Sequence, residues 1–130
     1  MSGMRENRIS IEINRPVSEV FSFTIDPRNT SKWAGGIKHE ETNEWPVKVG
    51  SIYRNIDASD EVSEYTLVAL EENKILELFL KDKGYHVRYT YIPISENKSH
   101  MEYFEWVDAG VLDNPFTLEI MENLKKLLEK

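Results

Sequence analysis

No cysteine occurs among the 130 residues, which excludes disulfides, zinc–thiolate sites, iron–sulfur clusters and a thiol nucleophile. Glycine and proline are scarce, at six and five, so collagen-like and low-complexity architectures are excluded too. The longest uninterrupted apolar run is Leu67 to Leu70, far short of the ~20 residues that cross a bilayer. Basic residues are outnumbered, 16 against 23 acidic, for a net charge of −7, which argues against a nucleic-acid partner. The opening Met1-Ser2-Gly3-Met4-Arg5-Glu6 has no apolar core of a secretory signal. What is present, 40% hydrophobic, 30% charged and 11% aromatic residues, is enough to order a core. The expectation is one cytoplasmic domain spanning 1–130.

Ile9, Ile11 and Ile13 alternate with Ser10, Glu12 and Asn14, the two-residue period of a half-buried strand. Pro16 ends it and suits the first turn of a helix, whose buried stripe is Val17, Val20 and Phe21. Asp26-Pro27 supplies a cap and a first-turn proline for a second short helix, closed by Gly35-Gly36 after Trp33. From Ile37 to Trp106 the chain reads as strands: Lys38–Glu44 (polar, a candidate edge), Ser51–Asp57, Val62–Leu70, Ile75–Leu80, Tyr85–Ile94 and Ser99–Trp106. The intervening turns are short, which favours antiparallel neighbours. After Asn114-Pro115, Ile120, Met121, Leu124, Leu127 and Leu128 recur at helical spacing, predicting an amphipathic helix of about 16 residues. The class is α+β, with a helix covering one face of a sheet.

This order of elements resembles a known family. The resemblance is carried by Ile11-Glu12-Ile13-Asn14-Arg15-Pro16-Val17-Ser18-Glu19-Val20-Phe21, by Asp26-Pro27-Arg28-Asn29 leading to Trp33, and by Trp45-Pro46-Val47-Lys48-Val49-Gly50-Ser51. Glu64 to Glu71 and Glu122 to Glu129 complete it. The chain is similar to the SRPBCC, or START-like, superfamily in its polyketide cyclase/dehydrase-type branch. The resemblance implies a helix-grip fold: a curved antiparallel sheet of about six or seven strands wrapped around a C-terminal helix, with two short helices after the first strand. It further implies a cavity between sheet and helix that takes a small hydrophobic or amphipathic molecule, lipids included. The final helix and the segment Val107–Asp113 look shorter than is common in that family.

Strand alternation gives the candidate cavity lining. Tyr65, Leu67 and Ala69 share a side, as do Leu76, Leu78 and Leu80; Val87, Tyr89 and Tyr91; and Met101, Tyr103 and Glu105. Tyr53 and Asn55 join them in the strand after Gly50, and Ile120 and Leu124 face them from the helix. These rows serve equally as packed core, whereas tyrosines also offer an apolar wall with a hydroxyl tip. Arg54 and Arg88 fall on the outer parity. Glu105 is the inward acid, to be read either as a buried acid–base group or as a solvated strand end. His86 and His100 fall on the outer face, neighbours if their strands pair, and no histidine has helical zinc-site spacing. Trp33 reads as a plug between helix and sheet, while Trp45 suits a plug or a cavity mouth.

There is no G-x-S-x-G nucleophile turn, calcium loop or phosphate-cradling glycine loop. No catalytic residue, metal site or cofactor is assigned. The leading expectation is a binder or carrier of a small hydrophobic molecule. The alternatives are a cyclase/dehydratase-type enzyme acting in the same cavity, or an interaction module of the heat-shock ATPase activator type. The oligomeric state stays open, a homodimer being compatible.

Overall fold

The computed structural model describes residues 3–130. Strand β1 (Glu6–Ile13) leads into helices α1 (Val17–Ile25) and α2 (Pro27–Trp33). Six strands follow: β2 (Ile37–Thr42), β3 (Ile52–Asp57), β4 (Val62–Glu71), β5 (Ile75–Leu80), β6 (Tyr85–Ser95) and β7 (Lys98–Val107). Helix α3 (Leu118–Leu128) ends the chain. The strands form one antiparallel sheet in the order β1-β7-β6-β5-β4-β3-β2. Five hairpin-like pairings are local, and only β1 travels, closing against β7 from Glu6↔Trp106 to Ile13↔Ser99. The sheet curls into a half-barrel with α3 on its concave side, the helix-grip arrangement.

Local chemistry sets the helix boundaries. Pro16 precedes α1, which buries Val20, Phe21 and Thr24. The Asp26 carboxylate accepts the Arg28 N–H at 3.0 Å, and Pro27 takes the first position of α2. Residue Thr117, and not Asn114, caps α3, its hydroxyl facing the Ile120 N–H at 3.4 Å. The helix is therefore 11 residues long, shorter than the expected 16. The cause is that Phe116 gives its backbone N–H to Glu105 on the sheet, which holds this part of the chain extended.

Alternation places the core on the concave face: Tyr53 from β3, Leu67 from β4, Leu76 and Leu78 from β5, Val87 and Tyr91 from β6, Met101 and Tyr103 from β7. One row departs from simple alternation. The register slips between Leu67↔Leu78 and Ala69↔Glu77, so a β-bulge at Val68 moves Ala69 outward and turns Leu70 in beside Leu76. The convex face carries its own stacked series. Phe79, His86, Trp106 and Phe104 lie ring against ring at 4.6 to 4.8 Å, and the Arg8 guanidinium covers Phe104 at 4.0 Å.

Met121 and Leu124 are fully buried and fasten α3 over Ile13, Val20 and Met101. Leu124→Ala is expected to lower unfolding stability by about 2–5 kcal/mol, the cost of a core cavity. Urea denaturation measures this, and a loss below about 1 kcal/mol would show that Leu124 is not tightly packed.

Candidate functional site

The concave face has two halves of different character. Under α1 and α3 it is solid: Ile13, Val20, Phe21, Leu67, Leu76, Met101, Met121 and Leu124 are at most 5% exposed. Toward the ends of β4 and β6 the packing opens. Tyr65, Tyr85 and Tyr89 face inward by register yet keep accessible surface, as do Ile37, Phe116 and Ile120 across from them. These residues form the accessible part of the concave face, beside the stretch that leads into α3. Trp33, at the end of α2, stands edge-on to Tyr89 and Phe116, with centroids 6.2 and 6.0 Å away. It is 3% exposed, and its indole N–H is buried without a hydrogen-bond partner.

All six tyrosines lie on this face. Four have their hydroxyls engaged. Tyr53 donates to the Ile25 carbonyl at 2.6 Å, Tyr91 bonds Thr24 at 2.7 Å, and Tyr85 donates to Glu105 at 2.6 Å. With the Tyr85 proton so used, Tyr103 is left to donate to the Tyr85 oxygen at 3.2 Å. The hydroxyls of Tyr65 and Tyr89 have no partner among the described residues. Burial pushes the phenol of Tyr65 up to about 12, helped by the nearby charges of Glu40 and Glu105. It holds Tyr53, Tyr85, Tyr89, Tyr91 and Tyr103 higher still. As neutral phenols these rings present a hydroxyl and an electron-rich face, and no charge.

Glu105 sits on the inner face of β7 at 2% exposure, buried instead of solvated at a strand end. Three donors converge on it: Tyr85 Oη at 2.6 Å, Asn7 Nδ2 at 2.9 Å and the Phe116 N–H at 2.7 Å. Its oxygens are thereby committed to holding β1, β6 and the chain before α3 together. Phe116 is pressed face to face on Tyr103 at 3.8 Å.

A second inward acid, Glu40, has no signature in the sequence. It belongs to edge strand β2, whose polar composition hides a buried face. A register shift between Ile37 and His39 puts Glu40 opposite Asn55, pointing in. Thr30 of α2 donates to it at 2.6 Å, and the Asn55 amide lies at 3.5 Å. Burial raises its carboxyl above the ordinary range, and the Thr30 and Asn55 bonds only partly oppose this. Only its alignment with Asn55 reveals it, and that alignment depends on the bulge.

The fourteen candidate lining residues divide accordingly. Tyr65, Tyr89 and Ile120 keep accessible surface. Tyr53, Leu67, Leu76, Leu78, Val87, Tyr91, Met101, Tyr103 and Leu124 are buried in contact with one another, and Asn55 and Glu105 are buried polar groups. The histidines stay on the outside. Although β6 and β7 pair, His86 lies opposite Trp106 and His100 opposite Ile92, so the two are at opposite ends of the hairpin and not neighbours. His86 bonds Asp108 at 2.9 Å, and His39 lies 3.3 Å from Glu41. No group of three His, Cys, Asp or Glu among the described residues could hold a metal ion. Trp45 is 53% exposed and flanks a surface cleft with Asp26, Arg28, His39, Glu40 and Thr42.

No protein-family model and no curated protein matches the sequence. Solved structures do match in shape. A START superfamily protein from Mycobacterium smegmatis superposes with a TM-score of 0.75 at 16% identity, over 95% of this chain and 97% of the other. The XoxI protein from Bacillus cereus gives 0.73 at 10% identity, over 97% and 96%. The Aha1 dimer from Colwellia psychrerythraea gives 0.69 at 13% identity, over 97% of each chain. The START-like helix-grip fold is thus shared with proteins of very different sequence.

Two outcomes test this geometry. Glu105→Gln puts an amide N–H against donors that need an acceptor and is expected to cost about 2–4 kcal/mol; a urea midpoint unchanged from the parent would show the carboxylate to be dispensable. An ultraviolet titration at 295 nm should show no phenolate step near the free-tyrosine value of about 10 while the chain stays folded. Because folded pKa values lie above unfolded ones, the tyrosines contribute stability below about pH 10 that is lost as pH rises further. Alkaline unfolding and ionisation should therefore coincide, and separate tyrosine titration in the folded chain would contradict the buried placement.

Proposed function

We propose that this helix-grip domain binds a small amphipathic molecule in the recess bordered by Tyr65, Tyr85, Tyr89, Phe116 and Ile120. The observation that carries the reading is the indole N–H of Trp33, the one buried side-chain donor among the described residues without a partner, in a ring set against Tyr89, whose own ring keeps accessible surface on the concave face. Buried polar groups ordinarily find partners. Here a guest supplies them, its apolar body against the rings and its polar end toward the hydroxyls. The inward hydroxyls of Tyr65 and Tyr89, which bond no protein group among the described residues and are open to solvent, support the same reading. So does the shared fold with a START superfamily protein, although fold by itself assigns no ligand.

One observation favours a second reading, proton-transfer chemistry at Glu40. Glu40 is a buried acid whose carboxyl is raised by burial, the tuning a general acid or base needs. Tyr65 and Tyr89 would then be hydrogen-bond donors to a reacting oxygen, since both remain protonated. Glu105 has no part in it, its oxygens being occupied.

The uncharged fluorophore prodan provides the test. Its emission is expected to shift to the blue on binding, and Tyr89→Trp, which fills the recess, should weaken binding about tenfold or more. Binding that is absent, or indifferent to Tyr89→Trp in a variant that folds normally, overturns the proposal.

A further inference from the structure

We infer that the cleft along the free edge of β2 docks an extended, basic peptide segment of a partner protein, which joins the seven-stranded sheet as an eighth strand. No tyrosine lines this cleft, so the inference stands or falls independently of the small-molecule reading.

The first argument is the backbone. β2 ends the sheet and pairs only with β3 among the described residues. Asn43 gives its main-chain N–H to the Ile52 carbonyl at 3.1 Å, and antiparallel strands bond through alternate residues. His39, Glu41 and Asn43 therefore turn their main-chain groups toward β3, while Glu40 and Thr42 turn theirs away from it. The N–H and C=O groups of Glu40 and Thr42 meet no partner among the described residues. Two residues so spaced are what a neighbouring strand bonds when it adds to a sheet edge. A cleft of about 490 Å³ lies beside them. His39 and Glu41 from the outer face of β2 and Glu40 and Thr42 from the inner face all line it, so it opens along the strand edge and not onto one face. Asp26, Pro27 and Arg28 make the opposite wall. Free edges are blunted by proline, bulges, edge lysines or inward charges. Here the bulge lies at the start of β2, between Ile37 and His39, and Lys38 is held by Asp60 at 2.6 Å. The device that remains at Glu40 and Thr42 is the inward carboxylate of Glu40, which opposes any strand that brings it no cation.

The second argument is the charge of the cleft. Asp26 and Arg28 neutralise one another at 2.7 Å, which leaves Glu40 and Glu41. Glu40 has Thr30 and Asn55 as partners and no ion pair within 4 Å among the described residues. Glu41 is exposed, 3.3 Å from His39 and 3.9 Å from Arg54. The two carboxylates stand on opposite faces of one strand, so a strand laid alongside meets them with two successive residues. Opposite charges directly across a pair of strands stabilise it, and like charges destabilise it. A Lys or Arg at both positions is the complement, and Trp45, 53% exposed next to them, supplies a ring for a further cation. A second copy of β2 is the wrong occupant, because antiparallel pairing about Glu40 or about Glu41 sets identical carboxylates opposite each other. The net charge of −7 draws basic segments toward the surface at long range as well.

The probes are two capped hexapeptides, acetyl-Val-Thr-Lys-Lys-Thr-Val-amide and the same peptide with Glu-Glu in place of Lys-Lys. Titration of the intact chain, followed by amide nitrogen–proton correlation spectra, is expected to show the lysine peptide binding about tenfold or more tighter than the glutamate one. Hydrogen exchange of the Glu40 and Thr42 amides should slow in the complex, because those N–H groups gain partners. Thr42→Pro removes one outward N–H without changing any charge and touches no bond to β3, so an edge strand accommodates it; it should weaken the lysine peptide about tenfold. Glu41→Lys, at an exposed position, should abolish the preference for lysine over glutamate. If Thr42→Pro does not fold, the exchange of the two amides and Glu41→Lys decide. Failure of the lysine peptide to bind, or equal binding of the glutamate peptide, overturns the inference. So does binding that leaves the exchange of Glu40 and Thr42 unchanged, since charge attraction without strand addition would do that. A dimer of the parent chain in sedimentation equilibrium that Thr42→Pro dissociates gives the edge to a second copy and overturns the peptide as its occupant.

Discussion

One buried carboxylate sets the shape of everything around it. Glu105 is taken out of water with no cation beside it, which is tolerable only because three donors meet it at 2.6 to 2.9 Å. The donors come from β1, from β6 and from the backbone just ahead of α3, segments far apart in sequence. Satisfying one charge therefore fixes where the last part of the chain crosses the sheet. Phe116 is pinned at that crossing and stacked on Tyr103. Thr117 follows as the cap, so α3 begins only at Leu118 and covers one half of the concave face. On the uncovered half Tyr65, Tyr85 and Tyr89 keep accessible surface. The buried acid and the accessible rings are consequences of a single arrangement.

The other constraint is the pleat. A strand offers every second residue to the inside, so the chemistry of the concave face is decided by parity, and parity is reset wherever a bulge inserts a residue. Two bulges do this. The one at Val68 exchanges Ala69 for Leu70 and deepens the apolar half under α1. The shift between Ile37 and His39 turns Glu40 inward beside Asn55 and under Thr30. One bulge completes the solid part of the core, and the other brings a carboxylate between Thr30 and Asn55.

These two devices also explain how much is legible in the sequence. The order of elements, the antiparallel connections, the caps at Pro16 and Asp26 and the inner rows of β3, β5, β6 and β7 can be read there, because local turn chemistry and unbroken alternation determine them. Alternation misplaces Ala69 because a bulge leaves no mark in a run as uniformly apolar as Leu67 to Leu70. Glu40 stays hidden because Lys38 to Glu44 is polar throughout and gives no period to read. Local signals start α3 too early, at Pro115, since Asn114-Pro115 is a good helix opening and the competing bond from Glu105 is a tertiary effect. Whether Glu105 is solvated depends on Asn7 and Phe116, neither of which carries a sequence signal for that role. His86 and His100 lie on the outer face as alternation predicts, but the hairpin register that separates them follows from the full pairing of β6 with β7.

The identity of the residues at 65 and 89 is informative in this light. Packing alone would be served by phenylalanine, which presents the same ring and has no hydroxyl to satisfy. The face already uses four tyrosine hydroxyls to tie Ile25, Thr24 and Glu105 into the core, so their presence there is structural. Tyr65 and Tyr89 tie nothing. Their rings keep accessible surface, so solvent meets the hydroxyls there, whereas an unpaired polar atom shut away from water lowers stability by about 1–3 kcal/mol. Trp33 carries that cost through its indole N–H, in a ring that stands against Tyr89. The buried donor of Trp33 thus stands beside rings whose hydroxyls solvent reaches, at the part of the concave face that α3 stops short of covering.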